Sequence, residues 1–184
     1  MNSFRKIRVA SACTAAALAF TSCSSTPTNV SSGTIHARTF NFLNRKSKVA
    51  PDYADKTEAA HKMVQAAITK NLATRGVTRV ASGGDVMVPY LIITGNNVST
   101  TAISDYFGYN DDLIGLHERA QEAYTSQRNP NHFDAGTLLI DIVDGKSFKL
   151  LKRGYTTRAL AGQPSAGQIQ GAVDQILRDA QIGP

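Results

Sequence analysis

The sequence predicts an α+β domain, a mostly antiparallel sheet of about 4–5 strands with two helices on one face, behind an export signal and a tether. Three observations lead there. Apolar residues recur at helical spacing from Ala60 to Leu72. Asp144-Gly145 separates two β-rich runs, and a capping box at Ser165–Gln168 opens a last amphipathic segment. Strands joined by a hairpin, with helices kept apart from them, belong to the α+β layer class.

The elements follow in chain order. Arg5, Lys6 and Arg8 form a basic start, and Ala10 to Phe20 is apolar or small apart from Ser11 and Thr14. A positive end held on the cytoplasmic side of an apolar segment is the pattern of an export signal. The run is shorter than the roughly 20 apolar residues a membrane-spanning helix needs. Phe20-Thr21-Ser22-Cys23 resembles the lipobox of bacterial lipoproteins, although Phe20 stands where Leu or Val is preferred. The expected signal peptide is therefore 1–22, cut before Cys23, which would carry the lipid. Several acyl chains hold firmly because each buried methylene contributes about 0.8 kcal/mol. Ser24 following Cys23 resembles an outer-membrane sorting signal, so the expected location is the outer membrane, facing the periplasm. Residues 23–32 then read as the lipidated cysteine and a small, polar tether.

A single domain over 33–184 follows, of roughly the size that supports one workable core. Thr34 to Leu43 alternates loosely, with Phe40 and Phe42 on one face, and predicts a first strand. Asn44 to Lys48 is a basic loop. Pro51 and Asp52 suit a helix entry with Asp55 in the first turn. Ala60, Met63, Val64, Ala67, Ile68 and Leu72 form its stripe, and Gly76 its left-handed stop. Val77 to Ala81 predicts a short strand, with a turn at 82–85. Val86 to Thr94 is continuously apolar and predicts a strand buried on both sides. Pro89, which lacks an N–H, places itself at a strand end or edge. Residues 97–134 form a long insertion that includes a short helix through Tyr124. Gly136 to Val143 and Lys146 to Tyr155 then flank Asp144-Gly145, whose tolerance of positive φ predicts a hairpin. Ile169, Ala172, Val173, Ile176, Leu177 and Ala180 form the stripe of the closing helix.

The T-F-N-F-L strand, the helix ending L-x-x-R-G, Gly136 through Asp144 and Arg153-Gly154 resemble domain-of-unknown-function family 4136 of bacterial lipoproteins. The resemblance covers Thr34 to the C-terminus. An aromatic residue commonly precedes the Arg-Gly in that family, where this chain has Lys152, and its usual Phe-Pro end is replaced by Gln181-Ile182-Gly183-Pro184. What the resemblance implies is a periplasmic, membrane-attached domain; it implies no activity.

Composition agrees with an exported chain. Its two cysteines are Cys13, within the signal, and Cys23, so the domain has none to pair and must rely on its core. The chain has 20 Lys+Arg against 14 Asp+Glu, or +6. Without Arg5, Lys6 and Arg8 this falls to 17 against 14, or +3, so no nucleic-acid partner is expected.

No catalytic motif emerges. His36, His61, His117 and His132 lack metalloprotease spacing, and His61 reads as a solvated helix-face residue. Asp144 is explained by a turn, while Asp141 faces away from Ile140 and Ile142 and forms no aimed carboxylate pair. Neither a metal nor another cofactor is expected.

Binding has two candidate features. Tyr106, Phe107 and Tyr109 on the insertion are aromatic interface anchors if exposed, or a lid if they fold back over the sheet. The second sheet face, with Leu139, Val143, Leu151 and Tyr155, must be covered by that insertion, a partner or a second copy. The expected function is an envelope lipoprotein that is not an enzyme and binds a protein or lipid partner. The alternative is a periplasmic hydrolase or metal-dependent enzyme with residues from 97–134, such as His117, His132, Asp111, Asp112, Glu118 and Asp134.

Overall fold

A computed structural model describes residues 30–31, 33–43, 51–55, 57–107, 132–157, 160 and 162–184. The signal, Cys23, most of the tether, the basic loop, Tyr109, His117 and the helix expected through Tyr124 lie outside these residues. Among the described residues no helix is long and apolar enough to cross a membrane.

The architecture is α+β. Its strands are β1 (Val30–Ser31), β2 (Ile35–His36), β3 (Thr39–Asn41), β4 (Thr78–Arg79), β5 (Val86–Met87) and β6 (Tyr90–Ile93), continuing with β7 (Val98–Ser99), β8 (His132–Phe133), β9 (Thr137–Asp144), β10 (Leu150–Thr156) and β11 (Ile182–Gly183). The helices are α1 (Glu58–Ala73), α2 (Thr100–Phe107) and α3 (Ala166–Leu177). Seven strands form the main sheet in the order β1-β10-β9-β5-β3-β4, with β6 also on β9. The sheet is wider than expected because Val30–Ser31, within the stretch read as tether, adds β1 at its edge, and the predicted strand from Val86 to Thr94 divides into β5 and β6.

Antiparallel pairing dominates around β9, but β3 pairs in parallel with both β4 and β5. Helix α1 is the reason. It carries the chain back across the layer, so β4 returns beside β3 in the same direction. The predicted first strand also breaks in two. Asp85 draws the N–H groups of Arg38 and Thr39 to its carboxylate at 2.9 and 3.0 Å. Up to that break β2 pairs with β11, and beyond it β3 joins the main sheet.

Helix α1 starts later than Pro51-Asp52 suggested, at Glu58. Residues 53–55 instead line the free edge of β6, where Asp55 donates its N–H to Ile92 and Thr94 donates to Tyr53. The predicted stripe is correct: Val64, Ile68 and Leu72 are fully buried, and Gly76 takes φ +78 at the stop. Each such aliphatic side chain contributes about 1.5–3 kcal/mol by leaving water. Helix α3 has the predicted capping box, Ser165 Oγ accepting from Gln168 N and Gln168 Oε1 from Ser165 N. The two helices run parallel. Asn71 Nδ2 donates to Asp174 at 2.7 Å, and one turn on Arg75 Nη2 donates to the Leu177 carbonyl at 2.7 Å.

Pro89 separates β5 from β6, yet the register of both on β9 is continuous, Met87 facing Val143 and Tyr90 facing Ile140. Pro89 still accepts from Asp141 N at 2.9 Å, so it interrupts one rung of a buried strand without ending the pairing. The β9–β10 hairpin exists with a longer turn than Asp-Gly suggested. Its left-handed residue is Phe148 at φ 58, and Gly145 has no positive φ. Gly145 is needed for a different reason: a Cβ there would collide with the Gly84 carbonyl oxygen.

Helices cover one sheet face, where Leu138, Ile140 and Ile142 pack with Val64, Ile68, Ile169 and Val173. The opposite face is covered as well, by residues of the insertion, one of the three coverings expected for it. There Leu91, Ile93, Leu139, Val143 and Tyr155 pack with Ile103, Phe107 and Phe133.

Candidate functional site

The insertion starts and returns through a small ladder, β7 on β8, with Val98 opposite Phe133. Asn96 and Asp134 tie its neck, Asn97 N donating to Asp134 and Ala135 N to Asn96, both at 3.2 Å. Ser99 Oγ accepts from Ala102 N at the start of α2. Tyr53 in turn donates to the Ala102 carbonyl at 3.0 Å and fastens that helix to the sheet edge.

This geometry places the aromatic candidates. Phe107 is buried and Tyr106 half-buried at the end of α2, packed on the second core. Their rings lie 5.4 Å apart, and Tyr106 meets Tyr53 edge-on at 6.5 Å. Both therefore lie in a cover over the sheet, and their burial does not suit them as exposed anchors. A sequence reading that places Tyr106 and Phe107 on a loop misses the eight-residue helix that turns them inward.

Asp141 and Arg153 lie on this covered face. Arg153 Nε donates to Oδ1 at 2.8 Å and Nη2 to Oδ2 at 2.6 Å, with both side chains fully out of solvent. Asp141 N points toward Pro89, so Asp141 and Arg153 form a non-hydrogen-bonded pair across β9 and β10, the type that brings side chains closest. Both carboxylate oxygens are thus engaged by the Arg153 guanidinium. Asp144 is likewise committed, its Oδ1 accepting from Ser147 N at 2.7 Å and Lys146 N at 3.1 Å. The Ser147 backbone bond leads the causes that hold its carboxyl below the ordinary range.

On the helix face, Lys152 is buried and its Nζ has no hydrogen-bond partner among the described residues. A bulge between Leu150 and Lys152 turns it inward opposite Ile142. Desolvation lowers its pKa, with Asp179 opposing and Arg75 reinforcing that shift.

His61 is not solvated as expected. Its Nε2 lies 2.8 Å from the Asp55 carbonyl, which can only accept, so Nε2 carries a proton. Its Nδ1 lies 3.0 Å from the Tyr90 hydroxyl, to which Gln65 also donates at 3.0 Å. This chain clamps the 53–55 segment to α1 and the sheet. His36 and His132 are exposed. Among the described residues no group of three His, Cys, Asp or Glu side chains is placed to hold a metal.

Beside the His61 clamp, a cleft of about 310 Å³ opens at the end of the sheet. Asp55, Ala60, Thr94, Ala135, Gly162 and Pro164 supply its open surface, and Ile92, Ile93, Gly136, Leu160 and Ile169 lie buried behind them. The parallel run of α1 and α3 brings both helix starts to it. No single run of sequence signals this cleft, since its walls come from five separate segments. Its open surface is mixed, apolar at Ala60, Ala135 and Pro164 and polar at Asp55 and Thr94.

Comparison with known proteins adds one match. A family model described as "Domain of unknown function (DUF4136)" matches residues 28–179. Neither a curated protein nor a solved structure matches the chain.

Proposed function

The chain belongs to the DUF4136 family, and from that premise we propose that it is an envelope lipoprotein whose domain is a non-enzymatic binding module for a protein or lipid partner. Lipid on Cys23 anchors it, in the outer membrane with the domain facing the periplasm. The observation that carries the binding role is the cleft at the end of the sheet. Its open surface sets Ala60, Ala135 and Pro164 beside Asp55 and Thr94, which suits a guest with both an apolar and a polar part. The basic start, apolar run and Phe20-Thr21-Ser22-Cys23 support the anchoring.

Two measurements test this reading. Cells fed labelled palmitate should yield labelled protein, and Cys23→Ser should abolish the label and release the chain from the membrane fraction. A photo-crosslinking residue at Ala135 in intact cells should capture a discrete partner or lipid. An unlabelled product defeats the anchoring, and a chain that captures nothing defeats the binding role. The other reading, a hydrolase or metal-dependent enzyme with residues of 97–134, requires stoichiometric metal or hydrolytic turnover in the purified chain.

A further inference from the structure

We infer that the cleft receives the β9–β10 hairpin tip of a second copy of this chain, with Phe148 foremost. The assignment rests on the binding role of the cleft and names its partner. The tip presents an aromatic ring to solvent. Residues 146–149 are all exposed, and Phe148 is the one large apolar side chain left exposed among the described residues, at 49%. It also sits at φ 58, a left-handed backbone that Gly or Asn adopts readily and a bulky residue does not. The turn holds it there. Phe148 N donates to the Asp144 carbonyl at 3.0 Å, and Asp144 N donates to the Lys149 carbonyl at 2.8 Å. The ring gains little burial in return for that strain.

Size and charge match this tip to the cleft. Ala60, Ala135 and Pro164 offer an aromatic ring apolar contact in a recess of about 310 Å³. An aromatic anchor seated in a pocket is the kind of residue that dominates protein interfaces. Lys146 and Lys149 flank Phe148, whereas Asp55 lines the cleft and exposed Asp134 immediately precedes Ala135. The carboxylates at the tip end are held by backbone rather than by the lysines. Asp144 accepts from Lys146 N and Ser147 N, and Asp85 from Arg38 N and Thr39 N.

The occupant is a second copy because one chain cannot reach itself. The cleft includes Gly136, just before β9, and the tip starts at Gly145, just after it. The eight residues of β9 hold the two apart by roughly 27 Å. Contact is therefore head-to-tail, and every pair keeps a free tip at one end and a free cleft at the other.

Sedimentation velocity tests this. The full chain carrying Cys23→Ser, which takes no lipid at that residue, is purified and measured across a wide range of concentration. Its mean mass should rise with concentration. Phe148→Asn, which relaxes the backbone and removes the ring, should weaken association at least about tenfold. Ala135→Trp, which fills the cleft, should do the same, and Ala60→Phe serves if that variant does not fold. Mixed in equal amounts, the tip variant and the cleft variant should form a dimer and go no further, since one tip and one cleft remain competent. A chain that stays monomeric, association indifferent to Phe148→Asn or to a filled cleft, or a mixture that does not pair overturns the assignment. The photo-crosslinking residue at Ala135 is read separately. Capture of a different molecule by a monomeric chain defeats self-docking alone, whereas capture of nothing defeats the binding role.

Discussion

Asp141 and Arg153 meet side-on across neighbouring strands, two charges joined by two hydrogen bonds in a face of the sheet with no contact with water. Such a pair is costly to bury and more costly to break, because whichever charge remains has lost its solvent as well as its partner.

Asp141→Asn should therefore destabilise the fold by about 3–5 kcal/mol, read from urea unfolding midpoints. Replacing both residues at once, Asp141→Leu with Arg153→Met, should recover most of that loss. If the single and double variants unfold alike, the pair is not what holds β9 and β10 in register.

Lys152 makes the opposite prediction. Its amine is buried without a hydrogen-bond partner among the described residues, and its pKa is lowered chiefly by desolvation. The folded chain thus binds that proton less readily than the unfolded chain. Stability must rise with pH between the lowered folded value and the ordinary lysine value, and below that window a constant penalty persists. Lys152→Met should stabilise the protein by about 1–3 kcal/mol near neutral pH and flatten the alkaline slope. Thermal unfolding across that range provides the check.

The acid side depends on Asp85 and Asp144. Both carboxyls are held low, Asp85 mainly by the Arg38 N–H and Asp144 mainly by the Ser147 N–H. Their contribution is complete above the ordinary carboxylate value of about 3.9 and drains away as pH falls through the lower folded values. Asp85→Asn should reduce the stability lost over that interval while lowering stability at neutral pH. Acid unfolding followed by circular dichroism reads both effects.

Two glycines distinguish crowding from backbone strain. Gly145→Ala pushes a methyl group into the Gly84 carbonyl and should cost about 1–3 kcal/mol by overpacking. Gly162 has φ +78 and open space around its missing Cβ, so Gly162→Ala should cost about 1–2 kcal/mol through conformation alone. Gly162→Asn, which tolerates that conformation, should recover part of the loss, whereas Gly145→Asn should not.

Features set by neighbours in sequence were legible from the sequence. The Val64, Ile68 and Leu72 stripe, the Gly76 stop and the Ser165–Gln168 cap each depend on residues a few positions apart. Features set by distant partners were not. The break between β2 and β3 depends on Asp85, more than forty residues later. The inward turn of Lys152 depends on a one-residue bulge that no alternation pattern shows. The sequence presents His61 as a solvated helix-face residue because the Asp55 carbonyl and Tyr90 hydroxyl reach it only after folding. The cleft assembles from five segments, so no one of them marks it in the sequence.

The pairing of β2 with β11 joins Ile35 to Ile182 and His36 to Gly183, strands far apart in sequence. Bringing those two sides together closes a long loop of chain, whose entropy must be spent before the rung returns anything. Closure of this edge is therefore a slow, long-range step compared with the β9–β10 hairpin.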